Sequence, residues 1–502
     1  MKHQITVLPK NKIIFADEGA LLLDVLRQNG FYLPAACGGK GTCGKCKVRL
    51  ISGTVDGTEP DADGMILYCH ARVCGPLTLA LKEAEGDGLS LFSAVSVGGE
   101  RIGLGAVLDV GTTTLAACLI DLQSGEILAK ASALNPQGVY GADVLSRINA
   151  YAESNGAHLQ SLILDKTRDM LTELCQNQYD AVEELVVAAN TTMLHLFLGT
   201  DPATIGVYPF TPVFTAEQVV DGEALGLPVK TVRLLPSVSA YVGSDITAGV
   251  LACDMYNTQK SLLFVDVGTN GEIVLSHKGK RYGASTAAGP ALEGACMECG
   301  MGGVSGAIDR VFEKDGTLQF TTIDKMEARG ICGSGYIDLF ALLLRHKLID
   351  ETGAWDPDCS SPLLRYWKED RFYLTEEIYL SQQDIRQFQL AKSAIAAGIV
   401  TLLSHCEVTP DALDALYLAG GLGYYMNIEN AAKTGLLPHA LVKKAQPVGN
   451  TALAGARLAL LSEQAHAHLL EIAEETEIVE LSFSATFQDA YVENMMFLEN
   501  EV

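Results

Sequence analysis

Residues 107–114 read Val-Leu-Asp-Val-Gly-Thr-Thr-Thr, and residues 264–271 read Phe-Val-Asp-Val-Gly-Thr-Asn-Gly. Each is an apolar run that ends in Asp-Val-Gly-Thr, turns, and leads into a returning run: LAACLIDLQSGEILAKAS in the first case, EIVLSHKGKRYGAS in the second. Further turns follow at Ser124-Gly125 and Lys278-Gly279, each before a third β-prone stretch. Short apolar runs punctuated by glycine predict buried strands, and the same pattern met twice predicts a duplicated α/β unit. A glycine turn lets backbone N–H groups approach phosphate oxygens, threonine hydroxyls add donors, and a carboxylate at the strand end can hold Mg2+ or its waters. Asp109 and Asp266 are therefore the candidate catalytic carboxylates. Gly111, Thr112, Thr113, Gly268, Thr269 and Asn270 are the candidate phosphate contacts. A single Asp-x-Gly-Thr turn also suits an ordinary hairpin; repetition carries the reading.

A third element lies at residues 416–423, Leu-Tyr-Leu-Ala-Gly-Gly-Leu-Gly, a strand running into a glycine turn. There a flat adenine can lie against backbone at Gly420 and Gly421, although a plain strand-to-helix turn reads the same way. Two phosphate turns followed by a late Ala-Gly-Gly resemble the actin-like ATPase superfamily of sugar kinases, acetate kinase and heat-shock chaperone ATPases. The resemblance implies two α/β lobes, residues 104–260 and 261–502, each a mixed sheet flanked by helices, with ATP and Mg2+ in the cleft between them. Glu293 is a candidate for the ribose, and Asn190, Thr192 and Asp245 for the cleft wall, where capping residues would give the same letters.

Upstream, residues 37–46 read CGGKGTCGKC, and LYCHAR follows at 67–72. Cysteines spaced C-x5-C-x2-C in a glycine-rich loop, with a fourth about two dozen residues on, suit four thiolates around a two-iron two-sulfur (2Fe-2S) cluster. Cys37, Cys43 and Cys46 are three of the ligands, and the fourth is Cys69 or Cys74. Cys69 is favoured because an apolar run, Met65-Ile66-Leu67-Tyr68, precedes it as in ferredoxins. Zinc prefers two C-x2-C pairs, and one is present. The loop also nearly spells a nucleotide P-loop, but Cys46 stands where a hydroxyl for Mg2+ is required. Around the loop, residues 5–8 and 12–16 predict a hairpin, 20–29 a helix, and 47–55 and 77–81 further strands. This order resembles the β-grasp fold of plant-type and vertebrate-type ferredoxins, so residues 1–85 are expected to form a ferredoxin-type domain. Residues 86–103, rich in Gly, Ser, Asp and Glu, are expected to be a linker.

A chain of 502 residues is too long for one core, so an α/β multidomain protein is expected. The net charge of -25 argues against a nucleic-acid partner. Residues 1–85 hold 10 Lys and Arg against 9 Asp and Glu, so the acidic excess lies downstream of a near-neutral head. With no apolar run of roughly 18 residues and no charged start before an apolar stretch, neither a membrane span nor a signal peptide is expected. The protein should be cytoplasmic, and its thirteen cysteines reduced. Cys118, Cys175, Cys253 and Cys406 sit in apolar segments and read as core. Cys296-x2-Cys299 with Cys332 could hold a second cluster, but no fourth ligand is evident. His195, in MLHLFLG, reads as a core histidine. At the C terminus, residues 477–481 predict a strand and 487–498 a helix.

Four further segments narrow the family: VAANTTMLH at 187–195, PSVSAYVGSD at 236–245, AGPALEG at 288–294 and ICGSG at 331–335. With the cysteine loop and the duplicated turns they resemble the reductive activators of corrinoid proteins, which join a two-iron ferredoxin domain to an actin-like ATPase. The resemblance covers nearly the whole chain. It implies an ATP-hydrolysing activation enzyme of anaerobic one-carbon metabolism that returns Co(II) corrinoid to Co(I) by electron transfer. The implied partners are the corrinoid protein of a methyltransferase system and an upstream electron donor protein, and a homodimer is among the assemblies it admits. Founding members are expected to carry an extra domain between ferredoxin and ATPase, for which the forty residues between Cys69 and Asp109 leave no room. The competing readings are an ATP-dependent electron donor to another low-potential enzyme, a small-molecule kinase with a regulatory cluster, and a non-catalytic redox sensor.

Overall fold

The structure is a computed structural model that describes residues 2–8, 12–28, 47–61, 64–80, 101–141, 143–175, 182–294 and 296–497. Cys37, Cys43 and Cys46 lie outside the described residues, as does most of the stretch 86–103. The chain divides into an N-terminal compact unit and a larger one that holds both Asp-Val-Gly-Thr turns.

Alternation builds the N-terminal sheet. Strands Lys2–Leu8 and Lys12–Asp17 pair antiparallel with Ile5 opposite Ile14, and both side chains are buried with Val7 and Ala16. The five strands run in the order Lys12–Asp17, Lys2–Leu8, Leu77–Ala80, Lys47–Ser52, Met65–Leu67. The first strand lies parallel to Leu77–Ala80, as a β-grasp requires. Helix Leu22–Gln28 turns Leu22, Leu23, Val25 and Leu26 into the same core. The third strand stops at Ser52, three residues short of the predicted end. Gly53 has φ +99°, and a Cβ there would lie 2.3 Å from the Pro76 carbonyl oxygen, so the chain must turn at a glycine.

The larger unit contains the expected duplication. In the first lobe, strands Leu104–Val110, Thr114–Asp121 and Ile127–Leu134 form an antiparallel meander. Strand Val182–Ala189 lies parallel on the free side of Leu104–Val110, and Thr231–Leu234 lies parallel beyond it. The second lobe repeats this arrangement: meander Leu262–Val267, Gly271–His277 and Lys280–Thr286, then Ala415–Ala419 and Ala445–Gly449 in parallel. Each lobe adds one edge strand of its own, Gln218–Asp221 in the first and Thr476–Ile478 in the second. The meander turn at Lys278-Gly279 has both residues at positive φ, the geometry that matches strand twist.

Helix Ser244–Ala252 follows the fifth strand of the first lobe, and helix Thr451–Leu461 follows the fifth strand of the second. The two helices pack against each other so closely that a Cβ on Gly455 would lie 2.0 Å from the Ala248 carbonyl oxygen. The lobes are thus joined by a pair of equivalent helices, and the strand ends that precede them face one cleft. Outside this frame, helices Gly333–Arg345 and Gln382–His405 pack through Phe340 and Phe388, whose ring centroids are 4.2 Å apart. The C-terminal elements are shifted from their predicted bounds: the strand is Thr476–Ile478 and the helix Ala485–Glu493. Ser484 accepts from the Phe487 N–H and starts the helix earlier. Beyond its end, the buried Lys392 ammonium takes the Asn494 and Met496 carbonyls.

Candidate functional site

The first Asp-Val-Gly-Thr turn is held from behind. The side chain of Asn135 donates to the Gly111 carbonyl at 2.8 Å, and the guanidinium of Arg147, 1% exposed, donates to the Thr112 carbonyl. With their carbonyls engaged at the back, the residues of this turn present Thr112 and Thr113 side chains at the front. Burial lowers the Arg147 pKa to about 10, still high enough to keep its charge at neutral pH. On the front face, Asn190 donates from Nδ2 to Thr112 Oγ1 at 3.2 Å while its Oδ1 caps helix Thr191–Leu198.

Asp109 and Asp266 occupy equivalent positions, each the penultimate residue of its lobe's first strand. Their neighbours on the returning strand differ: Ala116 pairs with Asp109, whereas Glu272 pairs with Asp266. Directly opposed residues of an antiparallel pair share one face, so Asp266 and Glu272 crowd each other. Asp245, in the first turn of helix Ser244–Ala252, completes the group from the other lobe. Burial pushes the Asp245 carboxyl up to about 8, assisted by Asp266 and Asp109. Asp266 is pushed up to about 7 by burial and by Asp109 and Glu293, and Asp109 to about 6 by burial. Glu272 is driven well above the carboxylate range by burial, with Asp245 and Asp266 adding repulsion. Burial and mutual repulsion thus hold Asp245 and Glu272 largely protonated near neutral pH, whereas Asp109 is mostly ionised there. Among the described residues, no three of these or other acidic, His or Cys side chains stand close enough to hold a metal ion by themselves. Asp109 and Asp266 are oxygen donors of the kind Mg2+ takes, one or two carboxylates with the rest of its shell filled by phosphate oxygens and water.

Asn450, at the end of strand Ala445–Gly449, donates from Nδ2 to Asp109 Oδ2 across the lobes at 2.8 Å. Its Oδ1 caps helix Thr451–Leu461 by accepting from Leu453 N–H at 2.8 Å. Gly420 has φ +74°, and a Cβ on it would lie 2.4 Å from Asp266 Oδ1, so a side chain is excluded at the end of strand Ala415–Ala419. Gly421 has no atom within 4 Å of where a Cβ would stand, leaving an open backbone face. Glu293, a candidate for the ribose, has its carboxylate between the two Asp-Val-Gly-Thr turns. Its Oε2 accepts from Thr269 Oγ1 at 2.7 Å and from Thr113 Oγ1 at 3.4 Å. Thr192 is buried in helix Thr191–Leu198.

The tertiary structure thus gathers Asp109, Asp266, Thr112, Thr113, Thr269, Glu293 and Gly420 into one cleft, with Asp245. Arg147, Glu272 and Asn450 belong with them and escaped the sequence reading. Glu272 directly follows the second turn and had a signal in its position; Arg147 and Asn450 had none, being recognisable only by what they touch. His195 is a core residue: Nδ1 bonds the Thr191 carbonyl at 2.7 Å, Nε2 accepts from Val213 N–H, and the ring stacks on Phe214 at 4.2 Å. The thiols of Cys299 and Cys332 go to separate backbone carbonyls, those of Glu377 and Ile308. In the N-terminal unit Cys69 is 4% exposed in the core beside Tyr68, whereas Cys74 is exposed and donates to the Arg72 carbonyl at 3.5 Å.

Comparison with known proteins identifies three matching families. Residues 5–74 match the 2Fe-2S iron-sulfur cluster binding domain, 104–258 the RACo middle region, and 260–502 the C-terminal domain of RACo, the ASKHA domain. The middle-region match coincides with the first lobe, and the C-terminal match with the second. The chain is 33% identical over 421 residues to the corrinoid activation enzyme RamQ of Eubacterium limosum, covering 79% of this chain and 70% of that one. It is 26% identical over 432 residues to the [Co(II) methylated amine-specific corrinoid protein] reductase of Methanosarcina barkeri, covering 77% and 76%. A solved structure, a reductive activator for corrinoid, iron-sulfur protein, superposes with a TM-score of 0.71 at 29% identity over 98% of both chains. Among the described residues no helix is long and apolar enough to cross a membrane.

Proposed function

Because the chain belongs to the RACo family of reductive activators of corrinoid proteins, we propose that it reactivates a corrinoid methyl-transfer protein, reducing Co(II) to Co(I) by one electron at the expense of ATP. Residues 1–85 serve as the electron port, 86–103 as tether, and the lobes 104–260 and 261–502 as the nucleotide-driven body. Cys37, Cys43, Cys46 and Cys69 are the proposed cluster ligands, with the buried Cys69 supplying the thiolate that follows strand Met65–Leu67.

Two-iron clusters of this type work near about -400 mV. A free corrinoid Co(II)/Co(I) couple lies lower, and each 100 mV uphill costs about 2.3 kcal/mol per electron. An energy source must therefore act on the protein complex.

The cleft fits that demand. Thr112, Thr113 and the Gly111 backbone on one side, and Gly268, Thr269 and Asn270 on the other, offer phosphate donors. Asp109 and Asp266, half-buried at equivalent strand ends, would hold Mg2+. When bound, Mg2+ shields phosphate charge and polarises the scissile bond. Gly420 and Gly421 give adenosine an unobstructed backbone face. Hydrolysis, in which water takes the terminal phosphoryl group and leaves ADP and phosphate, removes the group that both turns would contact, and the body's grip on the docked corrinoid protein changes with it. The electron comes from a separate donor protein, and the complex is cytoplasmic, with a homodimer as the proposed assembly. The observation that carries the reading is one chain in which a 2Fe-2S domain match precedes a cleft whose two turns meet through Glu293.

The test is anaerobic. Protein, a low-potential reductant, Mg2+-ATP and a candidate corrinoid protein are mixed, and the Co(I) absorption band is followed. Co(I) should accumulate with ATP and not without it, and Asp266→Ala should abolish the ATP-dependent part. Equal Co(I) formation without ATP would sink the proposal.

A further inference from the structure

The nucleotide reading leaves the placement of Glu293 unexplained. Its Oε2 takes Thr269 Oγ1 at 2.7 Å and Thr113 Oγ1 at 3.4 Å, hydroxyls that belong to opposite lobes. Its Oε1 stands against the second turn, 3.4 Å from where a Cβ on Gly268 would lie. One carboxylate therefore holds the front of both phosphate turns at once. A threonine hydroxyl carries a single proton to donate. While Glu293 has these two, no phosphate oxygen can receive them. A carboxylate and a terminal phosphate are alike in being anionic and acceptor-rich, and at contact distance they repel.

From this geometry we propose that Glu293 is an internal stand-in for the terminal phosphate: it ties the two turns together through Thr113 and Thr269 and must withdraw for a nucleoside triphosphate to bind. The proposal rests on the reading of the cleft as an ATP site and replaces the ribose contact expected for Glu293. It also says where the displacement is felt. Glu293 ends the short 3-10 turn Pro290–Glu293, which lies between Gly289 at φ +74° and Gly294 at φ +82°. Around Gly289 no atom lies within 4 Å of a Cβ position, so the chain has room to swing there. At the other end there is none: a Cβ on Gly294 would lie 2.2 Å from the Met301 carbonyl oxygen. The Leu292 carbonyl oxygen, one residue before Glu293, lies 1.9 Å from a Cβ position on Gly333, the first residue of helix Gly333–Arg345. A shift of Pro290–Glu293 cannot be absorbed at that contact and passes to the helix. Glu293 is a positioning residue by this account, coupling occupancy of the phosphate turns to the part of the second lobe that lies beyond its sheet.

The experiment measures equilibrium binding of a non-hydrolysable Mg2+-ATP analogue and of adenosine to the full chain, as wild type, Glu293→Gln and Glu293→Ala. Removing the competing charge should tighten the triphosphate analogue by roughly tenfold or more. Adenosine, which reaches neither hydroxyl, should bind all three proteins alike. A ribose contact would instead weaken both ligands in both variants. Unchanged or weaker binding of the analogue to Glu293→Gln overturns the inference while leaving the ATP site standing, provided wild type binds. A wild type that binds no analogue at any concentration overturns the inference and the nucleotide reading together. Thr269→Val supplies an independent arm: it should weaken the analogue in the Glu293→Gln background more than in wild type, where Glu293 already occupies the hydroxyl. An equal loss in both backgrounds would also overturn the inference.

Discussion

Asn450 offers the most decisive perturbation of the cleft, because its two amide atoms do different work. Its oxygen caps helix Thr451–Leu461, and its nitrogen donates to Asp109 of the opposite lobe. Loss of an N-cap costs about 1 kcal/mol. Loss of a hydrogen bond to a charged acceptor costs about 1.5–3 kcal/mol. Asn450→Ala removes both, for about 2.5–4 kcal/mol, whereas Asn450→Ser keeps a capping oxygen and loses only the bond between lobes. With an unfolding entropy of about 2.1 cal/mol/K per residue over roughly 400 residues, 1 kcal/mol corresponds to about 1.2 °C in Tm. The alanine variant should thus melt about 3–5 °C below wild type and the serine variant about 2–4 °C below, in scanning calorimetry without divalent cations.

The pH dependence isolates the pair. Asp109 titrates at about 6, and the Asn450 bond is one of the influences that hold it down from a higher value. At about pH 8 Asp109 is ionised and the bond is charge-assisted; at about pH 5 it is protonated and the bond is an ordinary one. The gap between wild type and Asn450→Ser should therefore widen as pH rises from about 5 to about 8. Equal melting of the two proteins at about pH 8, or a gap that does not change with pH, would refute the reasoning.

Further outcomes follow from the same geometry. The Asp245 and Asp266 carboxyls titrate at about 8 and about 7 in the folded protein, above their unfolded value of 3.8, so the native state binds extra protons. Their contribution to stability is full below the unfolded value and is lost as pH climbs through about 7 and 8. Asp245→Asn should accordingly melt above wild type at about pH 9 and level with it at about pH 4; a variant less stable at the higher pH would count against the raised Asp245 carboxyl. Asp266→Asn should lower ATP turnover by about a hundredfold or more, read as phosphate release, as expected when a preorganised charge is removed. Cys69→Ser should abolish the two-iron absorption and EPR signals while Cys74→Ser retains them, and the reverse pattern would reassign the fourth ligand. Lys392 is fully buried and its pKa is lowered by burial to about 7, below the free value of 10.5. Its effect on stability is unfavourable at low pH and eases as pH rises through about 7 to 10. Lys392→Met removes the donor to the Asn494 and Met496 carbonyls, costing about 1–3 kcal/mol, and should expose the segment after Gln488 to proteolysis.

What the sequence determined by itself was everything encoded in contiguous residues. The strand-turn-strand copies at 107–114 and 264–271 announced two equivalent sheets because period, glycine and apolar run are local properties, and the two lobes share the order of five strands, differing in where the sixth is added. The cysteine spacing announced a cluster domain for the same reason, since three of its candidate ligands lie within ten consecutive residues, and residues 5–74 match such a domain. Boundaries were less legible. Strand Lys47–Ser52 ends at a glycine forced by the Pro76 carbonyl, and helix Ala485–Glu493 is trimmed by a lysine about a hundred residues away. The chemistry between lobes was not legible at all. Asn450 meets Asp109 across 341 positions, and Thr113 meets Glu293 across 180. Arg147 supports Thr112 from a helix whose sequence gives no hint of phosphate. Such pairs depend on how two sheets are set about the helix pair Ser244–Ala252 and Thr451–Leu461. That setting follows from close packing at Ala248 and Gly455, and no stretch of sequence contains it. The duplicated turns thus pointed to a kind of ligand, while the tertiary structure decided which carboxylates are buried near one another and which one meets the hydroxyls of both turns.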